Sequence, residues 1–189
     1  FKQKTAYEML RSLVGSEMCI RDSIGINKPF QLVILQGGSA EVLDKAARKS
    51  FNLNAKKMIA KIKDSGGEAL LYMTHPYVPP HKLYDPKMIE KIRYTYIKAA
   101  NDYDALVAPI GIAYINAYKA RPDIQLHKSY DGSHPDILGT YLSACVLYAT
   151  IFKKPSSEVQ YNYFGEISNE DQKFLQDIAD RTVKEFFAR

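Results

Sequence analysis

Short apolar runs alternate with longer amphipathic segments from residue 29 onward, and this alternation is the strongest constraint on the fold. The runs FQLVILQ (30–36), EALLYMT (68–74) and ALVAPIG (105–111) have the length and composition of buried strands. The segments 40–63, 87–101 and 136–152, and the stretch after Ser168, have the pattern of helices. Strands separated by helices form parallel sheets, so the sequence predicts an α/β domain with three layers, α/β/α.

Composition narrows the classes of partner. The chain has 189 residues, which suits one domain, and its net charge of +5 is spread over helix-like segments, so we expect no nucleic-acid partner. The longest apolar run, YLSACVLYATIF, is shorter than the roughly 20 residues of a membrane span, so we expect no membrane partner. Cys19 and Cys145 have no metal-ligand spacing, and we expect Cys145 to be a packing residue and the protein to need no metal or other cofactor.

The first 23 residues are best interpreted as non-native. KQKTAYE (2–8) and LVGSEMCIRD (13–22) are what two halves of a transposon-type sequencing adapter encode, in the right order and with an index-sized gap between them. We therefore leave residues 1–23 out of fold reasoning and expect a single domain over residues 24–189. The native sequence upstream of Ile24, and with it any signal for localisation, cannot be inferred from this segment.

The stretch YDGSHPD (130–136) carries the clearest candidate chemistry. Asp131 and His134 lie three residues apart in a loop before a helix, and such loops project from the carboxyl edge of the sheet, where α/β folds bind their ligands. Asp131 can fix the tautomer of His134 and leave its other nitrogen as a general base. The alternative is that Asp131 forms an Asx-turn and His134 caps the helix, because the spacing alone is a weak motif.

Three segments together resemble the SGNH, or GDSL-type, hydrolases. They are VILQGGS (33–39), VAPIGIAY (107–114) and YDGSHPDILGTYLSACVLYATIF (130–152), in that order. The resemblance implies a flavodoxin-like three-layer fold and a serine esterase or acetylesterase acting on carboxylic esters, including acylated carbohydrates. It makes His134 the base and Asp131 its orienting partner, and it makes a secreted or periplasmic location plausible.

The same resemblance points to an oxyanion hole in the loop after the first strand. The Gln36 side-chain amide and the Gly38 backbone N–H are the candidate donors. The alternative is that the Gln36 side chain only forms hydrogen bonds with backbone groups of the turn, and that the glycines only allow the turn to form. In THPYVPPH (74–81), which follows the second strand, we expect His75, Tyr77 and His81 to line a substrate cleft, since their spacing is not that of a metal site.

The sequence offers no convincing nucleophile. Ser23 is followed by only six residues before the strand at Phe30, whereas the crossover after a nucleophile-bearing strand needs a dozen or more. Neither Ser39 nor Ser133 lies at a position in this pattern that suits a nucleophile. We therefore expect that the chain lacks the first βα unit with its serine and is inactive as it stands.

One other function remains open, and another is disfavoured. The chain can be a non-catalytic carbohydrate-binding or scaffolding α/β domain that keeps the Asp131–His134 loop as structure. A nucleotide-binding domain is disfavoured, because LQGGSAE lacks the GxGxxG spacing and no P-loop lysine follows.

Overall fold

A parallel three-stranded sheet forms the centre of the protein. The computed structural model describes residues 30–188, so the adapter-like segment lies outside the described residues. The strands are β1 (Leu32–Gln36), β2 (Glu68–Tyr72) and β3 (Leu106–Ala108), paired in the order β1-β2-β3. Their register places Ile34 beside Leu70 and Leu70 beside Leu106. The predicted parallel sheet is confirmed.

Helices cover both faces of this sheet. Within the described residues they are α1 (Lys45–Asp64), α2 (Met88–Tyr103), α3 (Ile110–Ala120), α4 (Ile137–Phe152) and α5 (Asn169–Phe187), with 3-10 turns at Ser39–Val42 and Ser156–Glu158. The alternation of side chains along β2 divides the core between the two faces. Leu71 and Met73 pack with α1 and α2, whereas Leu70 packs with α3, α4 and α5. The predicted α/β/α layering is confirmed. None of the helices in residues 30–188 is long and apolar enough to cross a membrane.

The first helix begins later than the sequence pattern suggested. Ser39 does not cap it; a 3-10 turn intervenes, and Asp44 is the cap, with its carboxylate accepting a hydrogen bond from the Ala47 N–H at 2.8 Å. The helix then continues without a pause through residues 52–54. Similarly, the apolar residues Ile124 and Leu126 suggest a short strand over residues 124–127, but only an isolated bridge between His127 and Pro135 forms.

Two other helices begin at strong caps. Ser168 caps α5, as predicted, with its hydroxyl accepting from the Asp171 N–H at 3.1 Å. Asp136 caps α4 by accepting from the Ile137 N–H at 2.9 Å. Each cap of this kind contributes about 1 kcal/mol. Because Asp136 ends the loop that contains His134, this cap also fixes where that loop meets the helix.

Within residues 30–188 the outer edges of β1 and β3 are both unpaired, and the edge at β1 lies beside exposed apolar side chains. β1 pairs with β2, and within residues 30–188 no strand pairs with its other edge. Ile34 in this strand is 45% exposed, and Phe30 just before it is 44% exposed. An apolar strand with unpaired backbone groups is a surface on which another strand can add.

Candidate active site

The loops after β1 and β2 meet at the carboxyl edge of the sheet. The Ser39 hydroxyl donates to the carbonyl oxygen of His75 at 2.8 Å and also contacts the Thr74 hydroxyl. Ser39 therefore ties the loop after β1 to the loop after β2. This role as a tether explains why Ser39 is engaged locally instead of capping α1.

Asp131 and His134 form a hydrogen-bonded pair at this edge. Asp131 Oδ2 lies 2.6 Å from His134 Nδ1, while the His134 side chain remains 76% exposed. The backbone N–H of Ser133 contributes most to stabilising the ionised carboxylate of Asp131, and hydrogen bonds from His134 add to this effect. Together they lower the pKa of Asp131 to about 2. A carboxylate only accepts hydrogen bonds, so Nδ1 carries the proton and Nε2 keeps its lone pair.

The loop contains the Asx-turn of one alternative and the Asp131–His134 contact of the other. Asp131 Oδ1 accepts from the backbone N–H groups of Ser133 at 2.7 Å and His134 at 3.0 Å, which is the Asx-turn, while Oδ2 binds the imidazole. His134 does not cap the helix, since Asp136 does so. One carboxylate therefore shapes the loop and orients the histidine.

Gly132 locks this loop onto the proline-rich loop. Its φ is +63°, and a Cβ at this position would lie 2.1 Å from the Val78 carbonyl oxygen. The Gly132 carbonyl in turn accepts from the Val78 N–H at 2.9 Å. Because only glycine combines this backbone conformation with so close an approach, Gly132 sets the distance between the two loops.

His75 lies in the interior, away from any open cleft. It is 6% exposed, and its Nδ1 lies 2.9 Å from Nε2 of His127, which is 2% exposed. His127 Nδ1 lies 2.7 Å from the Tyr118 hydroxyl. The His75 ring also stacks on Tyr114, with centroids 4.6 Å apart. Thus His75 belongs to a buried network of aromatic and imidazole rings, contrary to the expectation that it lines a cleft.

Burial keeps this network neutral. It lowers the pKa of His75 to about 3, with the neighbouring His127 adding to the effect, and it lowers the pKa of His127 to about 4. Two neutral imidazoles can share one N–H between them, so His75 Nδ1 and His127 Nε2 satisfy each other. His127 also forms an isolated β-bridge with Pro135, the residue after His134. The buried network is therefore joined to the loop that holds His134.

Tyr77 lies beside the Asp131–His134 loop. It is half-buried, its ring stacks on His81 with centroids 3.7 Å apart, and its hydroxyl lies near the backbone of Ala40 and the side chain of Ser133. Burial raises the pKa of Tyr77. Tyr77 therefore connects the loop after β1 with the Asp131–His134 loop.

The two candidate oxyanion donors lie at the end of β1. Gln36 is its last residue and is exposed, and Gly38 follows as the N-cap of the 3-10 turn. Gly37 between them is less free, since its N–H donates to the Tyr96 hydroxyl at 3.2 Å and a Cβ there would clash with Phe51. Both candidates therefore lie at the carboxyl edge of the sheet, next to this turn.

Sequence reasoning missed His127. It is the last residue of the segment 124–127, which forms only an isolated bridge, and it shares no motif with His75, 52 residues away. Its position next to the YDGSHPD loop was the one available signal.

Comparison with known proteins supports the fold. No family model and no curated protein matches the chain. Among solved structures, a DUF4886 family protein from Bacteroides uniformis superposes with a TM-score of 0.73 at 18% identity, over 87% of this chain and 66% of that one. A candidate SGNH hydrolase from Slackia heliotrinireducens superposes with a TM-score of 0.59 at 21% identity, over 71% of this chain and 72% of that one.

The fold is SGNH hydrolase-like. Identities near 20% establish shared architecture and leave the reaction to be argued from the site. The chain also spans just under two thirds of the length of the Bacteroides protein. The SGNH-like fold and the pair at the carboxyl edge are therefore the starting points for a function.

Proposed function

We propose that the protein is a hydrolase of carboxylic esters in which Asp131 and His134 supply the general base. The observation that carries this proposal is the 2.6 Å contact between Asp131 Oδ2 and His134 Nδ1 beside a ring that stays 76% exposed. This arrangement fixes the tautomer and presents Nε2 to the solvent at the edge where the fold binds ligands.

The pair can move a proton in both halves of an acyl transfer. Nε2 takes the proton of a serine hydroxyl as its oxygen attacks the ester carbonyl, and Asp131 stabilises the imidazolium that forms. The imidazolium then protonates the departing alkoxide, and water releases the acyl group by the same route in reverse. Gln36 and Gly38 are the proposed donors to the carbonyl oxygen as it becomes negative.

The nucleophile is proposed to lie on a strand that pairs with the open edge of β1. Parallel strands lie about 4.8 Å apart, so the carboxyl end of such a strand would reach the same edge as Gly38 and His134. The exposed side chain of Ile34 and the unpaired edge of β1 support this position. The two serines considered from the sequence are less suitable, since the Ser39 hydroxyl is occupied by His75 and Ser133 adjoins the base.

The test compares the present chain with a longer form that carries the native sequence upstream of Ile24. Hydrolysis of glyceryl triacetate is followed at constant pH, because an activated nitrophenyl ester reacts with any exposed imidazole. We expect activity in the longer form and a loss of roughly a thousandfold or more with His134→Ala. Tyr94→Ala, which changes a 66% exposed side chain on α2 outside the site, is the control and should retain activity.

Equal activity of the longer form with and without His134 would contradict the proposal. A longer form that folds, binds acylated glycans and hydrolyses no ester would favour a carbohydrate-binding domain instead.

A further inference from the structure

A second concave site lies beside the Asp131–His134 loop. It is a cleft of about 470 Å³ between α4 and residues 153–167. Its floor includes the buried side chains of Cys145 and Ile167, which are 5% and 1% exposed. Burial raises the pKa of Cys145 to about 11, so its thiol stays protonated and serves as apolar wall. The volume is in the range of small-molecule sites.

Tyrosine rings form much of the wall. Tyr141 and Tyr148 contribute from one face of α4, and Tyr161 and Tyr163 contribute from the opposite segment. Tyr161 and Tyr163 are each about half exposed, at 52% and 50%, and their ring centroids lie 6.5 Å apart. Flat, rigid rings of this kind offer a large contact area to another ring at a small entropic cost.

Several polar groups of the lining are already paired within the protein. The Tyr141 hydroxyl donates to the Tyr161 carbonyl and accepts from Gln176, each at 3.1 Å. Lys128 and Asp136 form an ion pair at 2.6 Å. A sugar needs a hydrogen-bonding partner for each hydroxyl that it buries, whereas an apolar ring needs none. The lining therefore favours an aromatic group over a carbohydrate.

The cleft adjoins the proposed catalytic loop. Pro135, the residue after His134, forms part of its wall, and Lys128, at its mouth, donates its backbone N–H to the His134 carbonyl at 2.8 Å. A ligand in the cleft would thus extend from the loop that holds the base. In many enzymes the part of the substrate that does not react supplies binding energy from such a neighbouring site.

We propose that this cleft binds an aromatic ring system of one or two rings, the aryl part of an ester substrate. The ester rests on the proposed function above, whereas binding of the aromatic group does not. The cleft selects substrates by this group, and the Asp131–His134 loop presents the base to the bond at its mouth.

The binding test uses the present chain with 2-naphthol as the probe and calorimetry as the measurement. Ala144 is exposed on α4 and lines the cleft, so Ala144→Trp should fill the space without entering the core. We expect at least about tenfold weaker binding of 2-naphthol in this variant. Ala120→Trp, at an exposed position outside the cleft, is the matched control and should bind as the parent chain does.

A second pair of variants removes a tyrosine side chain, in one case from the wall of the cleft and in the other from a surface outside it. Tyr148→Ala should also weaken binding, whereas Tyr94→Ala, which changes a 66% exposed tyrosine on α2, should not. Equal binding by Ala144→Trp, Tyr148→Ala and the parent chain would overturn the proposal, as would tighter binding of acetylated methyl glucoside than of 2-naphthol.

These outcomes are separate from those of the hydrolysis test. An aryl-binding cleft in a longer form without esterase activity would refute the proposed function alone. If Ala144→Trp and Tyr148→Ala change neither ester hydrolysis by the longer form nor the binding of 2-naphthol, the proposal of an aryl-binding cleft is refuted and the proposed function is not.

Discussion

The protein holds two histidine sites with opposite environments a few residues apart. At the Asp131–His134 pair, a carboxylate orients an imidazole that is largely exposed. At the His75–His127 pair, two imidazoles bind each other in the interior with Tyr118 as the outer partner. The first arrangement leaves a lone pair accessible to a reacting proton. In the His75–His127 pair, the ring nitrogens that bind each other and Tyr118 hold the loops together. Exposure and the nature of the partner, more than the residue type, separate a chemical role from a structural one.

The largest expected effect concerns acid stability. Both buried histidines have folded-state pKa values, about 3 and about 4, below the value of 6.5 for an unperturbed histidine. The unfolded chain therefore binds protons first as the pH falls below about 6.5, and the stability that these groups contribute is complete above that pH. Each group loses up to about 1.4 kcal/mol per pH unit on the way to its folded-state pKa.

Urea denaturation at pH 7, 6 and 5 measures this slope. His134→Ala should retain it, and His127→Gln should reduce it. A stability that does not change between pH 7 and pH 5 would remove the distinction between the two histidine sites.

The next largest effect is expected at Gly132. Gly132→Ala places a Cβ against the Val78 carbonyl in a left-handed backbone conformation, and we expect a loss of about 3 kcal/mol in the free energy of unfolding. Gly165→Ala is the matched control, because its φ of +88° is similar while no atom lies within 4 Å of the new Cβ. That variant should lose only about 1 kcal/mol. Equal losses would show that the contact between the two loops is not tight.

A smaller loss is expected for the buried network itself. His127→Ala removes the imidazole that contacts the buried His75 Nδ1 and the half-buried Tyr118 hydroxyl, which should cost about 2 kcal/mol. The measurement is the free energy of unfolding at pH 7, where both histidines are neutral. A change below about 0.5 kcal/mol would mean that water replaces the imidazole without penalty.

The smallest effect on stability is expected at His134. Its side chain is 76% exposed, so His134→Ala should change the free energy of unfolding by less than about 0.5 kcal/mol. The same substitution is expected to remove most of the activity of the longer form. A large loss of stability would assign His134 to the structural class with His127.

The sequence predicted the sheet and the helices because their signals are local. The apolar runs at 30–36 and 68–74 and the helices ending at Phe152 and Phe187 follow from hydrophobic period and capping. The contact between Asp131 and His134 was also predictable, since three residues of spacing suffice for one loop to bring them together. Long-range contacts were not: the burial of His75 depends on His127 and Tyr114, and the tether at Ser39 depends on a loop 36 residues away.

The most direct test of the contrast between the two sites is a nitrogen NMR titration of the four imidazoles in the present chain. We predict that neutral His134 carries its proton on Nδ1, that Asp131→Asn abolishes this preference, and that His75 and His127 stay neutral well below pH 6. A neutral His134 with the mixed tautomers of a free imidazole, unaffected by Asp131→Asn, would contradict this prediction.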